Sequence, residues 1–341
     1  MALSQDNRIA AWYSFRLADT DSLERSLYKN EMGESISALV LGHTGFLGSR
    51  LFHSLKMNGI EVTGVSKSSG IDLRIPNVLD DVIIESRCNL IINCAAIVGG
   101  IEFSTLHQVD LFRENLLMTM SVLESAAHYK VKLINPISNC VYPRDLTVFS
   151  EAELWNGPLD ESVLVYGSIR KLGWVGSWAY SKQLGLNSTN LIFPNLYGPG
   201  DHLDPVRAHA LGGIVFRLIN AQRNNDPEFL VWGSGNPVRE WMYIDDACNA
   251  IMLAMGVKTD VYPINVGTGI GISIKELTYE IAKQLGYLGK ISFDMSKIDG
   301  APYKTMDGSR GAELLKWKQQ VDFISGIGRT VSWYKENIKN A

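Results

Sequence analysis

The stretch SALVLGHTGFLG, residues 37–48, constrains the fold more than any other part of the chain. An apolar run is followed by three glycines and then by a helical pattern. Between a strand and a helix, Gly42 permits a tight turn, Gly45 lets the backbone approach a ligand, and Gly48 lets the helix pack close to the strand. The stretch predicts a phosphate-binding turn, although a plain strand-to-helix turn has the same pattern.

Apolar runs alternate with helical segments through the first two thirds of the chain. The predicted strands cover residues 37–42, 61–65, 89–96, 131–138 and 189–195, and the predicted helices cover 46–59, 78–87, 112–130 and a segment that begins near Tyr166. This alternation predicts an α/β fold, a Rossmann-type doubly wound parallel sheet. After about Pro199 it loosens, so we expect a smaller C-terminal α/β substrate lobe over the carboxyl ends of the strands.

The same pattern divides the chain into three parts. Residues 1–35 are expected to form a helical extension with a docking or oligomer role. Residues 36–198 form mainly the dinucleotide-binding domain, and residues 199–341 form mainly the substrate-binding lobe, interleaved with the sheet.

Composition excludes several classes of function. The net charge is −4 with 20% charged residues and no basic block, so no nucleic-acid partner is expected. No segment is apolar over the roughly 18 residues of a membrane span, and the charged N-terminus lacks a signal-peptide pattern. Cysteines 88, 94, 140 and 248 show no metal-ligand spacing, which favours a reduced, cytoplasmic protein without a bound metal.

Two short segments predict how a dinucleotide would be bound. Around the glycines, the backbone N–H groups of Thr44, Phe46 and Leu47 belong to the helix start, where phosphates are attracted. NAD sites usually have an acidic residue about 20 positions further on. The second strand instead ends in Ser66 and Lys67. A lysine there attracts a 2′-phosphate and favours NADP over NAD, although a merely solvated surface lysine is the alternative.

The spacing of the glycines resembles that of the extended short-chain dehydrogenase/reductases. This resemblance implies a serine after the fourth strand and a Tyr-x-x-x-Lys motif on the next helix, which Ser138 and Tyr166 match. Tyrosine would pass a proton to or from a substrate oxygen that serine also binds, while lysine would lower the pKa of the tyrosine. Here Arg170 occupies the lysine position, because Lys171 lies about 140° around the helix from Tyr166. Arginine retains the charge but does not deprotonate.

Six motifs in order sharpen the resemblance, and together they cover most of residues 37–335. They resemble those of the GDP-L-fucose synthases, NADPH-dependent 3,5-epimerase/4-reductases. The motifs are AAIVGGI (95–101), SNCVYP (138–143), NLYGPGD (195–201), VWGSGNPVRE (231–240), INVGTG (264–269) and DGAPYK (299–304).

The resemblance implies roles for further residues. Cys140 and His209 would exchange protons at the carbons that flank a keto group. Asn115 would be the buried asparagine that steadies the catalytic strand region, and the family usually forms homodimers through two long helices. Residues that would line the nicotinamide cofactor are Ala95, Pro194, Asn195 and Leu196, and those that would bind a nucleotide sugar are Arg217, Trp232, Arg239 and Lys304.

We therefore expect an NADP-dependent 4-keto reductase, with 3,5-epimerase activity, that acts on a GDP-4-keto-6-deoxy-hexose or a related nucleotide sugar. Two alternatives stay open. One is a nucleotide-sugar epimerase or dehydratase that retains bound NAD. The other is a nucleotide-sugar-binding protein whose catalysis is impaired because Arg170 replaces the usual lysine.

Overall fold

The computed structural model describes residues 29–30, 33–203, 210–297 and 299–338. Most of the extension predicted over residues 1–35 lies outside these ranges. The strands are β1 (Ser37–Leu41), β2 (Glu61–Val65), β3 (Leu90–Asn93), β4 (Lys132–Ser138), β5 (Val148–Phe149), β6 (Ser188–Phe193), β7 (Asn195–Tyr197), β8 (Glu228–Trp232), β9 (Val238–Tyr243), β10 (Ile264–Asn265), β11 (Gly271–Ser273), β12 (Lys290–Asp294) and β13 (Tyr303–Met306).

The helices follow the strands in the alternation that the sequence predicts. They are α1 (Phe46–Met57), α2 (Asp80–Ser86), α3 (Ile101–Leu106), α4 (Gln108–His128), α5 (Leu164–Leu184), α6 (Ala210–Asn224), α7 (Ile244–Met255), α8 (Ile274–Leu285), α9 (Ser309–Leu315) and α10 (Phe323–Asn337). None of these helices combines the length and the apolar composition that a bilayer crossing needs.

Six parallel strands form the central sheet in the order β10-β6-β4-β3-β1-β2. The predicted Rossmann-type fold is confirmed. The strand order reverses between β1 and β3, so the chain leaves these two strands in opposite directions. Their carboxyl ends border the crevice in which open α/β sheets bind ligands.

Helices cover both faces of the central sheet. Alternate residues of β3 and β4 pack against α1 and α7 on one face, as Ile92 and Ile134 do, and against α4 on the other, as Ile91 and Leu133 do. Each such buried aliphatic side chain stabilises the fold by ~1.5–3 kcal/mol. The double coverage explains why these strands read as continuous apolar runs.

A second sheet, in the order β11-β9-β13-β5 with β7 also paired to β9, forms the smaller lobe. The two sheets are interleaved along the chain. Strand β5 of the second sheet lies before the predicted boundary at residue 198, and strand β10 of the central sheet lies after it. One predicted strand was wrong in its extent. The run over residues 189–195 is interrupted at Pro194: β6 ends at Phe193, and Asn195 begins β7, which leaves the central sheet and pairs with β9.

Candidate active site

The glycine turn between β1 and α1 fits closely against the end of β3. Gly42 has φ +74°, and a Cβ there would lie 2.8 Å from Ala95 Cα. A Cβ on Gly48 would lie 2.2 Å from the Gly42 carbonyl oxygen. Side chains are therefore excluded from two of the three positions, and Thr44 and Gly45 remain exposed at the helix start. This turn fits a dinucleotide phosphate, whereas the side chains of Phe46 and Leu47 pack into the core.

At the end of β2, Ser66 and Lys67 have different environments. Ser66 is buried, and its hydroxyl group caps the short turn that follows, accepting a hydrogen bond from the Ser69 N–H at 3.3 Å. Lys67 is exposed. Beyond the turn, Arg74 forms ion pairs with Asp72 and Glu114. Sequence reasoning missed Arg74, a second basic residue on this side of the fold.

Asn115 of α4 ties down the loop that follows β3. Its Oδ1 accepts from the Ile97 N–H at 2.9 Å, and its Nδ2 donates to the carbonyls of Ile97 at 3.0 Å and Leu111 at 2.8 Å. A buried asparagine with both ends of its amide engaged fixes the backbone it contacts. This geometry is consistent with the steadying role predicted for Asn115.

Ser138, Cys140 and Tyr166 converge where β4 ends and α5 begins. The Ser138 Oγ accepts from the Cys140 N–H at 3.4 Å. Helix α5 packs directly on this turn, because a Cβ on Gly167 would lie 2.5 Å from the Cys140 carbonyl oxygen. Glycine at position 167 thus lets Tyr166 approach Cys140.

Burial controls the protonation of the two acidic side chains in this cluster. It raises the pKa of the Tyr166 phenol, while the Arg170 guanidinium opposes the rise. It also raises the pKa of the Cys140 thiol, against a hydrogen bond from Ser138 and the positive charges of Arg170 and Lys304. Both groups are protonated at neutral pH, so each can donate a proton.

Arg170 reaches from α5 into the interior, where its Nη2 donates to the Pro136 carbonyl of β4. Its charge still acts on Tyr166, Cys140 and Cys94. The guanidinium therefore supplies positive charge at this site while one of its nitrogens is bound to the sheet.

Lys171 does not replace the missing lysine. Its Nζ donates to the Leu154 carbonyl at 2.6 Å and lies 4.6 Å from the centre of the Trp155 ring. The side chain is buried, and burial lowers the pKa of its ammonium group. Lys171 thus stabilises the loop after β5. Its angle around the helix predicted only that it would not take the usual lysine position.

Arg239 and Lys304 form a basic pair in the second sheet. They are register partners on β9 and β13. Burial lowers the pKa of both groups, and the Arg239 charge lowers that of Lys304 further. Arg239 Nη1 donates to the carbonyls of Val238 and Ala301, both at 2.7 Å. Lys304 also interacts electrostatically with Cys140, so this pair lies on the side of the lobe that faces the cluster at β4.

Arg217 and Trp232 form a separate contact. The Arg217 guanidinium lies 5.3 Å from the Trp232 ring centre and 5.2 Å from that of Phe229. Trp232 is 68% exposed, so its outer face is open to a ligand. The adjoining loop is fixed by Asp299, which accepts from the Ser234 N–H at 2.8 Å.

The segment Pro194 to Leu196 connects the two sheets. Asn195 Nδ2 donates to the Glu240 carbonyl at 2.9 Å, and Leu196 packs against both large cores. Glu240 itself is buried and accepts from the N–H groups of Thr268 at 2.6 Å and Met306 at 2.8 Å. Sequence reasoning missed this carboxylate, which holds three segments of the lobe together.

His209, the second predicted proton-exchange group, lies outside the described residues. The structure also brings together residues that the sequence reasoning passed over. Asn93, Asn135 and Asn190 lie on the adjacent strands β3, β4 and β6, and the first two line a cavity together with Arg170. Polar residues in three otherwise apolar strands were the available signal.

A glycine turn at the switch point of a parallel sheet, next to a serine, a cysteine and a tyrosine, defines a class of nucleotide-cofactor enzymes. The chain belongs to this class: the NAD dependent epimerase/dehydratase family matches residues 38–267.

Within that family, the chain is similar to GDP-L-fucose synthases, which confirms the resemblance in the motifs. It is 31% identical to putative GDP-L-fucose synthase 2 of Arabidopsis thaliana, over 94% of this chain and 98% of the relative. It is 30% identical to GDP-L-fucose synthase of Escherichia coli (strain K12), over 87% and 96%. The crystal structure of a GDP-L-fucose synthetase from Naegleria fowleri bound to NADP has a TM-score of 0.82 and 28% identity, over 90% of this chain and 94% of that one.

Proposed function

We propose that this chain is an NADP-dependent nucleotide-sugar 4-keto reductase with 3,5-epimerase activity, acting on a GDP-4-keto-6-deoxy-hexose. One observation supports it most: Ser138, Cys140 and Tyr166 cluster at the end of β4, near enough to the basic pair of the second sheet for the Lys304 charge to act on Cys140. Reduction at C4 and proton exchange beside it need these groups together.

In reduction, Tyr166 gives its proton to the C4 oxygen. Burial keeps its phenol protonated, and the Arg170 charge stabilises the phenolate that remains. In the free protein the Ser138 hydroxyl group donates a hydrogen bond to the Cys140 thiol. Because a hydroxyl group rotates, it can donate to the same substrate oxygen instead when the substrate is bound. The two hydroxyl groups thus orient the carbonyl and balance the charge that develops on it.

In epimerisation, Cys140 and His209 return and remove protons at C3 and C5, which the adjacent keto group acidifies. The protonated Cys140 thiol is suited to donate, and Arg170 and Lys304 stabilise its thiolate afterwards. The second partner, His209, stays a prediction from the sequence.

The residues of the glycine turn, with Ala95 beside it, would hold the dinucleotide, and Lys67 would bind its 2′-phosphate. NADP supplies hydride when bound. Arg239 and Lys304 would bind the sugar diphosphate, because each can donate several hydrogen bonds to phosphate oxygens. Trp232 would stack on the nucleotide with Arg217 behind it.

The chain is further proposed to form a cytoplasmic homodimer. Its four cysteines are free thiols, as a reducing compartment requires. Helices α4 and α5 pack side by side and expose apolar side chains on their outer faces, including Val109 and Phe112 on α4 and Leu172 and Trp178 on α5. Exposed apolar side chains on two adjacent helices are typical of a subunit interface.

Mixing the purified protein with NADPH and GDP-4-keto-6-deoxy-mannose tests the proposal. We expect loss of NADPH absorbance, with one GDP-6-deoxy-hexose formed per NADPH, and deuterium from heavy water at C3 and C5. Deuterium incorporation without NADPH oxidation would mean that the protein is only an epimerase. The absence of both signals would contradict the proposal that the chain is an enzyme.

Ligand retention distinguishes the alternatives. NAD that remains bound through purification and is not consumed would favour an epimerase or dehydratase. Calorimetric binding of GDP-sugar and NADPH without turnover would favour the impaired binding protein.

A further inference from the structure

A polar layer is buried between the central sheet and helices α4 and α5, behind Tyr166. It contains Asn93, Asn135 and Asn190 from three adjacent strands. Asn135 Nδ2 donates to Ser177 Oγ and to Asn190 Oδ1, both at 3.1 Å. Buried amides cost free energy unless their hydrogen bonds are made, so such a layer requires matched partners.

Two atoms in this layer have no hydrogen-bond partner among the described residues: Asn93 Oδ1 and Arg170 Nε. Both residues line the same cavity, together with Thr119 and Asn135. One atom is an acceptor and the other is an N–H donor, so they are complementary.

The cavity between them has the size of one water molecule. The volume in which the centre of a water can lie is about 10 Å³, roughly one buried water by the usual measure. A water there can donate to Asn93 Oδ1 and accept from Arg170 Nε, and other polar groups of the lining can complete its hydrogen bonds.

We propose that Asn93 is a positioning residue, which holds the Arg170 guanidinium one helical turn behind Tyr166 through a single bound water. This role rests on the proposed reductase function. Nη2 is fixed by the Pro136 carbonyl and Nε by the water, so the planar group has two anchors. A lysine ammonium is a single point and cannot occupy both positions. Asn93 and Arg170 therefore form a matched pair that replaces a lysine.

The pH dependence of reduction tests the positioning role. Tyr166 acts as the proton donor, so the rate falls as pH rises through its pKa. A nearby positive charge lowers such a pKa by about 1–3 units. In Asn93→Leu the guanidinium loses one anchor, its mean distance grows, and the falling limb should move to higher pH by up to about 1 unit.

Asn249→Leu is the matched control. Asn249 Oδ1 is also buried without a partner among the described residues, but it lies on α7, on the opposite face of the sheet. This variant should leave the limb unchanged. A limb that stays in place in Asn93→Leu, or that moves equally in both variants, would overturn the proposal. Asn93→Ala serves the same test if leucine does not fit.

A second measurement needs no turnover. Thermal unfolding of Asn93→Leu, Arg170→Met and the double variant forms a cycle, and residues sharing one water should be non-additive. We expect each single variant to lower Tm by about 1–2 °C, which is roughly 1 kcal/mol in a chain of 341 residues. The double variant should lose little more than the worse single one. Additive losses would refute the shared water, even in a protein that failed to reduce the sugar.

Discussion

The two halves of the candidate site, the glycine turn and the surroundings of Tyr166, depend on different kinds of interaction. The glycine turn, the backbone half of the site, is closed by contacts between backbone atoms: Gly42 lies against Ala95, and Gly48 lies against Gly42. Around Tyr166, side-chain charge and burial dominate, since burial, Arg170 and Cys140 together set the protonation of the phenol. The first half depends on the absence of side chains, whereas the second depends on their charges.

This difference explains which substitutions each half tolerates. At Gly42 and Gly48 the backbone contacts leave no room for even one methyl group, so neither position accepts a side chain. A charge can be supplied by lysine or arginine, provided that the surroundings hold it in place. Arg170 can occupy the lysine position because the Pro136 carbonyl and the asparagine layer accommodate its longer side chain.

Gly48→Ala should have the largest effect, because it breaks the backbone half. Its Cβ would lie 2.2 Å from the Gly42 carbonyl oxygen, so the turn must open. We expect a loss of about 3 kcal/mol or more in unfolding free energy and no measurable NADPH binding. Urea unfolding and fluorescence titration with NADPH measure the two losses.

Gly213→Ala in α6 controls for adding a methyl group to a helical glycine, since no atom of the described residues lies within 4 Å of its Cβ position. It should be neutral, or stabilising by up to about 1 kcal/mol. Normal NADPH affinity in Gly48→Ala would mean that the turn does not bind phosphates.

Tyr166→Phe should break the side-chain half alone. The ring and its packing stay, while the proton donor is lost, so kcat should fall by roughly 10²- to 10⁴-fold with NADPH affinity unchanged. Steady-state kinetics measure this loss. Tyr180→Phe, the same substitution near the other end of α5, should retain full activity. Equal losses in both variants would indicate a general disturbance of the helix.

The backbone half was readable from the sequence, and the side-chain half was readable only in part. Glycine spacing between a strand and a helix fixes Gly42, Gly45 and Gly48 because the geometry is local. The Tyr166 motif likewise placed Arg170 on the correct helix position. Its anchor at Pro136 could not be predicted, since 34 residues separate the two partners and only the sheet packing joins them.

Long-range partners account for the other omissions. Glu240 binds the backbone of Thr268 and Met306, and neither spacing follows a local pattern. The break at Pro194 was not predictable from the proline alone, because Pro136 lies inside the central strand β4 without interrupting it. The pairing of β7 with β9 was not predictable either, because the two strands are far apart in the sequence.

Asp72→Asn should have the smallest effect. It tests whether side-chain charge contributes to stability and to NADPH binding near the backbone half of the site. The hydrogen bond from Arg74 lowers the pKa of the Asp72 carboxyl from 3.8 to about 2. Because the folded state has the lower pKa, the stabilisation is complete above the unfolded value and disappears as pH falls from about 5 through 2. Since the pair is partly exposed, we expect the variant to lose only about 1 kcal/mol at neutral pH. Urea unfolding at pH 7 and pH 3 should show the difference from the unsubstituted protein shrinking on acidification. If NADPH affinity also fell strongly, cofactor binding would depend on the placement of Arg74 and not on the turn alone, and the two halves of the site would differ less.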